Sequence, residues 1–139
     1  MSHAFSTWSP VEPIDQPCAR ISCTRSFDEI RVIMHFSEMV GGTSNDLEIT
    51  FEGAIGLKWM EESSYSVSDT NQQVLEKCAA EKWRGWVKPM FVAQHSPWLD
   101  CIAVLPHTKS RVHYLLISSD DIVEILAEPN PQAGWVTTT

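Results

Sequence analysis

The sequence predicts an α+β fold, in which a bent antiparallel β-sheet of about five to seven strands carries one main amphipathic helix packed on it. Two patterns support this prediction. In residues 47–60, every odd position from Leu47 to Trp59 is apolar or glycine, and four of the even positions are polar. This period of two is typical of a strand with one buried face. In residues 69–85, apolar side chains recur at the spacing of a helix with one buried face.

The alternating run at 47–60 is too long for one straight strand. At about 3.3 Å per residue it would span roughly 46 Å, whereas a compact chain of this length is only roughly 37 Å across. Gly53 and Gly56 lie in the middle of the run, and glycine is common where a strand bulges or bends. We therefore expect two strand halves joined at a corner.

A second alternating run precedes the first. Ile30, Val32, Met34 and Phe36 lie on one side of it. Residues 37–46 then contain Gly41-Gly42 and other turn-forming residues. The two alternating runs are therefore expected to be antiparallel neighbours joined by a long loop.

The predicted main helix begins at Ser68 or Asp69, since either side chain can serve as an N-cap. Gln72 lies three residues after Asp69, as in a capping box. At about 100° per residue, one face of the helix is apolar. That face contains Val74, Leu75, Cys78, Ala79 and Trp86. The helix is expected to end near Gly85.

A short second helix is expected after a short strand at 90–93. Ser96 and Pro97 have the chemistry of an N-cap and a first helical residue, because proline lacks the N–H that would otherwise be unsatisfied there. Pro106 is expected to stop this helix.

A β-hairpin is predicted over residues 112–127, where the polar cluster at 118–121 separates two β-rich runs. Its register pairs Leu115 with Glu124 and His113 with Leu126. His113 and Glu124 then lie on one face, diagonal to each other.

The length of 139 residues indicates a single domain over residues 1–139. Residues 1–17 include three of the eight prolines and are expected to form an irregular arm. An irregular tail is expected over 128–139. No apolar run approaches the roughly 18 to 20 residues that cross a bilayer, and the first residues lack a signal peptide pattern, so we expect a cytoplasmic protein.

The formal charge of −8 argues against nucleic acid and anionic membranes as partners, because both are negatively charged and need a basic patch. A charged partner is expected to be basic, although many proteins are acidic merely for solubility.

The cysteines do not predict a metal site or a cofactor. Cys18 and Cys23 have no close second pair of Cys or His ligands, so a structural zinc ion is not expected. Buried, reduced thiols are the expected state in a chain without an export signal.

Two groups of residues could carry chemistry. His113 beside Glu124 can act as an acid–base pair, because a carboxylate favours the charged imidazole and fixes its tautomer. The same pair can simply fix the hairpin register. Cys101 could be a nucleophile with His95, His107 or His113 as its base, but it lies too far into its helix to gain much from the helix dipole.

Acidic side chains occur in two predicted loops, Glu61-Glu62 and Asp120-Asp121. Brought together in space, they could bind a divalent cation or a basic protein surface. As separate loop tips they would be solvated turn residues.

Four segments together resemble a group of short bacterial proteins of the kind found among the immunity proteins of polymorphic toxin systems. They read FEG at 51–53, SPWL at 96–99, HYLLIS at 113–118 and DDIVEILA at 120–127. The resemblance spans residues 47–127 and implies no catalytic residue.

From the charge and this resemblance we expect a protein-binding protein, specifically an immunity protein that neutralises a basic toxin domain by occlusion. Glu61, Glu62, Asp120 and Asp121 would steer the partner, and Trp98 would anchor it. The alternative is a small ligand-binding protein or enzyme that uses the His113/Glu124 face with Cys101. A structural subunit would instead expose an apolar patch.

Overall fold

The computed structural model describes residues 4–12, 14, 18–40, 44–61, 89–108, 110–118 and 121–136. In chain order the elements are β1 (Ala4–Thr7), β2 (Cys18–Ser26), β3 (Glu29–Val40), β4 (Ser44–Phe51), β5 (Gly56–Glu61), β6 (Met90–His95), α1 (Pro97–Ile102), a 3-10 turn (Pro106–Thr108), β7 (Val112–Ile117), β8 (Asp121–Ala127) and β9 (Gln132–Trp135).

The strands form two antiparallel sheets that share one core. The first sheet has the order β1-β6-β7-β8-β5 and the second the order β2-β3-β4-β9. Buried apolar residues from both sheets belong to one cluster. Phe51 of the second sheet and Tyr114 of the first are in ring contact, with centroids 4.9 Å apart. The described part of the chain is therefore a sandwich of two sheets.

The predicted α+β class with one bent sheet is wrong for this part of the chain, which is mostly β and has two sheets. The α-helix that it contains, α1, has six residues and buries none of them. Alternation reveals which side of a strand faces the core, but it does not reveal whether successive strands join the same sheet. The main helix predicted over 69–85 lies outside the described residues.

The predicted corner in the run at 47–60 is confirmed, and it carries the chain from one sheet to the other. Gly53 has a φ of +60°, and a Cβ atom there would lie 2.6 Å from side-chain atoms of Glu128. Both the backbone conformation and the close approach therefore favour glycine. The Ala54 N–H donates to the Asp28 carbonyl, and the Glu128 N–H donates to the Glu52 carbonyl.

The predicted pairing of β3 with β4 is confirmed, and their alternate side chains are buried as expected. The predicted long loop between them is wrong, because β3 continues to Val40 and β4 already begins at Ser44. The termini also differ from the prediction: β1 pairs with β6, and β9 pairs with β4. Each of these short strands adds to an edge that exists only once the rest of its sheet has formed.

The predicted hairpin of β7 and β8 is confirmed with its register. Leu115 lies opposite Glu124, and His113 lies opposite Leu126. Nearly every residue of the two strands is buried, as is typical of central strands that are covered on both faces.

The turn between β2 and β3 holds an unfavourable backbone conformation. Ser26 pairs with Glu29, which leaves Phe27 and Asp28 as a two-residue turn. Phe27 has a φ of 54°, a conformation that costs a residue with a side chain about 1–2 kcal/mol. Its side chain recovers none of this cost by burial within the chain, since Phe27 is 97% exposed.

Replacing Phe27 with glycine is expected to raise the free energy of unfolding. Glycine removes the cost of the positive φ, but its more flexible unfolded state lowers the free energy of unfolding by about 0.5–1 kcal/mol. The net increase in the free energy of unfolding is therefore about 0.5–1 kcal/mol. Phe27→Ala is the control, because it removes the ring and keeps the cost. Urea unfolding of both variants provides the measurement, and a Phe27→Gly variant less stable than Phe27→Ala would contradict the expectation.

Candidate functional site

A chain of three buried polar side chains connects α1 to the first sheet. The Ser96 hydroxyl lies 2.7 Å from Nδ1 of His113, and His113 Nε2 lies 2.8 Å from Glu124 Oε1. Ser96, His113 and Glu124 are 8%, 1% and 3% exposed. Both ring nitrogens of His113 are thus engaged inside the protein.

Local sequence chemistry places each member of this chain. The β7–β8 register sets His113 and Glu124 diagonally on one face. Ser96 is the N-cap of α1, as predicted, and its Oγ accepts a hydrogen bond of 3.0 Å from the Leu99 N–H. Pro97 follows as the first helical residue. The capping serine therefore faces the sheet as well as its own helix.

Aromatic rings cover the imidazole of His113 from two directions. Phe5 and Trp98 both contact it edge-on, with ring centroids 5.2 Å and 5.1 Å away. The Trp98 ring in turn lies 4.2 Å beneath the Lys58 ammonium. Gly56 makes room for it, since a Cβ atom there would lie 2.8 Å from the indole. This cover withholds water from the polar chain and strengthens its hydrogen bonds.

A serine, a histidine and a carboxylate linked by hydrogen bonds are also the parts of the catalytic triad of a hydrolase. In that triad the serine faces Nε2 and the acid faces Nδ1, whereas here the two nitrogens are exchanged. The Ser96 oxygen is buried and already accepts a hydrogen bond from the helix backbone. We therefore interpret the hydrogen-bonded side chains of Ser96, His113 and Glu124 as a clamp that fixes α1 against the sheet.

Ser96→Ala is expected to lower the free energy of unfolding by about 1–2 kcal/mol, because it removes a helix cap and the partner of His113. Ser110→Ala is the matched control, since its hydroxyl is exposed and donates to the His107 carbonyl at 3.4 Å. Urea unfolding measures both variants. Labelling of Ser96 by a fluorophosphonate in the native protein would contradict the clamp and indicate a nucleophile.

The structure does not bring Cys101 to a base among the described residues. Its thiol is free and exposed, and no hydrogen bond within the described ranges joins it to His95, His107 or His113. His107 lies exposed in the 3-10 turn. His113 is instead engaged with Ser96 and Glu124.

Two other cysteines are shielded from solvent in the second sheet. The Cys18 thiol is buried and donates to the carbonyls of Arg20 and His35. Burial raises the pKa of Cys18 to about 12 and that of Cys23 to about 11. These thiols stay protonated near neutral pH and are poor nucleophiles. Within the described ranges, no three His, Cys, Asp or Glu residues are grouped so as to hold a metal ion.

Alkaline pH is expected to destabilise the protein partly through Cys18. Because the folded-state pKa is raised to about 12, this contribution to stability is complete below the ordinary thiol pKa and is lost as pH rises from about 9 toward 12. The free energy of unfolding should therefore fall less steeply in Cys18→Ala between pH 8.5 and about 10.5. Cys101→Ala is the control, because it removes an exposed thiol instead of a buried one. Equal slopes in all three proteins would rule out the effect.

The predicted acidic residues are partly brought together. The register of β5 and β8 sets Glu61 directly opposite Asp121. Glu62 and Asp120 lie outside the described residues. Trp98, the expected anchor, is half-buried and packed against Lys58 and His113, so its ring is already used inside the fold.

A second group of acidic residues lies at the corner between the sheets, and the sequence patterns do not predict it. A cleft of about 220 Å³ opens there between the end of β4 and the β8–β9 connection. Its lining comprises Thr50, Glu52, Glu128, Pro129, Asn130, Pro131 and Gln132. Glu52 and Glu128 are far apart in sequence, so no local pattern predicts that they meet. The folded chain brings them together, and the Glu128 N–H donates to the Glu52 carbonyl.

Comparisons with protein-family models, with curated proteins and with solved structures found no match to this chain. In the part of the chain that the structure describes, no helix has the length and apolar character needed to cross a bilayer.

Proposed function

We propose that this chain is a cytoplasmic protein-binding protein of the immunity type, which neutralises a basic toxin domain by occluding it. The observation that carries the proposal is the position of Glu61 opposite Asp121 at one end of β5 and β8. This register places two acidic positions next to each other in the sheet. A cationic partner fits such a place, and the formal charge of −8 favours such a partner.

The buried chemistry supports binding rather than catalysis. Ser96, His113 and Glu124 bond to one another beneath two aromatic rings, which leaves their reactive atoms little access to a substrate. The exposed thiol of Cys101 has no imidazole hydrogen-bonded to it within the described residues. The alternative enzyme, which would use the His113/Glu124 face with Cys101, needs a nucleophile and a base that a substrate can reach.

In this proposal the acidic end acts mainly on the rate of association. Complementary charges steer two proteins toward a productive encounter, and salt screens that attraction over about 8 Å at physiological ionic strength. Occlusion then needs only that the bound protein cover the active site of the toxin domain.

Asp121→Lys is expected to slow association with the basic partner about tenfold at low salt and much less at high salt. The partner is first captured from lysate of the source organism at both salt concentrations and identified by mass spectrometry, and the rates are then measured with the purified pair. Asp100→Lys is the control, because it makes the same charge change at an exposed position on α1. Capture of no basic protein at either salt concentration would reject the proposed function.

A further inference from the structure

Phe27 is the most exposed large apolar residue in the described part of the chain. It lies at the tip of the β2–β3 hairpin with 97% of its surface accessible and a φ of 54°. Glycine suits that position better on conformational grounds. An exposed aromatic ring in an unfavourable backbone conformation adds nothing to this fold by burial, which makes Phe27 a candidate for contact with another molecule.

The tip is joined to the acidic corner. The carbonyl of Asp28 accepts a hydrogen bond of 2.6 Å from the Ala54 N–H, just after Gly53. Glu52 and Glu128 line the cleft at the same corner. Asp28, Glu52 and Glu128 are all exposed. The Phe27–Asp28 turn therefore adjoins a corner at which three acidic residues are exposed.

The nearby cations are directed toward backbone carbonyls. Arg25 Nε donates to the carbonyl of Phe27 at 3.4 Å. Arg111 donates to the Gly53 carbonyl at 2.6 Å and to the His107 carbonyl at 3.0 Å. Glu29 beside the turn is paired with Arg31 at 3.9 Å, so the three carboxylates still exceed these two cations and the tip with its corner is acidic overall.

We propose that the Phe27 tip is an anchor that inserts into an apolar pocket of a protein partner whose pocket rim is basic. The proposal rests on the proposed function for the charge of that partner, and it adds the surface that grips it. Aromatic side chains that fill a pocket inside a polar rim dominate the energy of many interfaces. The charge of the tip fits a basic rim and disfavours an anionic membrane.

This surface is distinct from the Glu61–Asp121 end. Gly56 pairs with Leu126 near the corner, and Glu61 pairs with Asp121 at the far end of the same two strands. Five residues along β5 correspond to roughly 17 Å. A variant at one place therefore leaves the other intact, and the two can be tested separately.

The test uses the full chain carrying the photoreactive substitution Phe27→p-benzoylphenylalanine, irradiated in lysate of the source organism. The same substitution at Val104, which is 73% exposed, is the matched control for an exposed apolar position. Wild type and Phe27→Gly are added as unlabelled competitors. The captured protein is then purified, and its affinity for wild type, Phe27→Gly and Val104→Gly is measured at low and high salt. Sedimentation with phosphatidylcholine vesicles is measured in parallel.

The expected result is a basic protein that crosslinks at position 27 and not at 104. Wild type should compete it away, whereas Phe27→Gly should not. We expect Phe27→Gly to weaken binding at least tenfold at both salt concentrations, and Val104→Gly to stay within about twofold, as is usual outside an interface hot spot.

Three results would overturn the anchor. A basic partner that does not crosslink at position 27 and that binds Phe27→Gly as tightly as wild type would reject the anchor role of Phe27. The proposed function would then still stand. A crosslinked partner that is not basic would reject the anchor as proposed, and the proposed function would fall with it only if no basic protein is captured at either salt concentration. Vesicle binding that Phe27→Gly abolishes would show that the tip is a membrane anchor instead. Urea unfolding of Phe27→Gly confirms that a loss of binding does not reflect unfolding.

Discussion

The corner at Gly53 is the constraint on which the rest of this structure depends. It turns the chain out of the four-stranded sheet and into the five-stranded one, so both sheets can contribute to one core. The Gly53 carbonyl accepts a hydrogen bond from Arg111, and the side chain of Glu128 covers the glycine. The neighbouring Ile55 N–H donates to the Leu126 carbonyl. A larger residue at position 53 would meet the Glu128 side chain and a positive φ together.

The same corner positions the surfaces that we consider functional. It brings Glu52 and Glu128 to either side of one cleft, and it holds the Phe27–Asp28 turn through the backbone of Ala54. The clamp of Ser96, His113 and Glu124 does a comparable task for α1, because buried hydrogen bonds with few alternative partners specify one orientation. These hydrogen bonds thus fix where the Phe27–Asp28 turn and α1 lie.

Sequence patterns predicted the local features and missed the distant ones. The alternation in β3 and β4, the corner glycine, the Ser96 cap and the β7–β8 register all depend on residues close together in the chain, and all are observed. The division into two sheets and the edge strands β1 and β9 depend on pairings between distant segments. No period within one segment specifies those pairings.

The candidate sites show the same division. The diagonal placement of His113 and Glu124 follows from the hairpin register. Ser96 joins them because α1 folds back over the sheet, which no local pattern predicts. Asp121 was recognised as acidic, but its place opposite Glu61 required the pairing of β5 with β8. Phe27 gave no signal because a single phenylalanine in a turn is ordinary until its exposure and its φ are known.

Charge and an apolar anchor act on different steps of binding. In the proposed complex, the acidic positions at Glu61 and Asp121 would attract a cationic partner over a distance that salt shortens, and such an attraction governs mainly the rate of encounter. The ring of Phe27, buried in a pocket of that partner, would resist dissociation at any salt concentration, because the burial of apolar surface does not depend on charge screening. An inhibitor that must reach its target quickly and then remain bound needs both, and the two proposals assign these tasks to separate places on this chain.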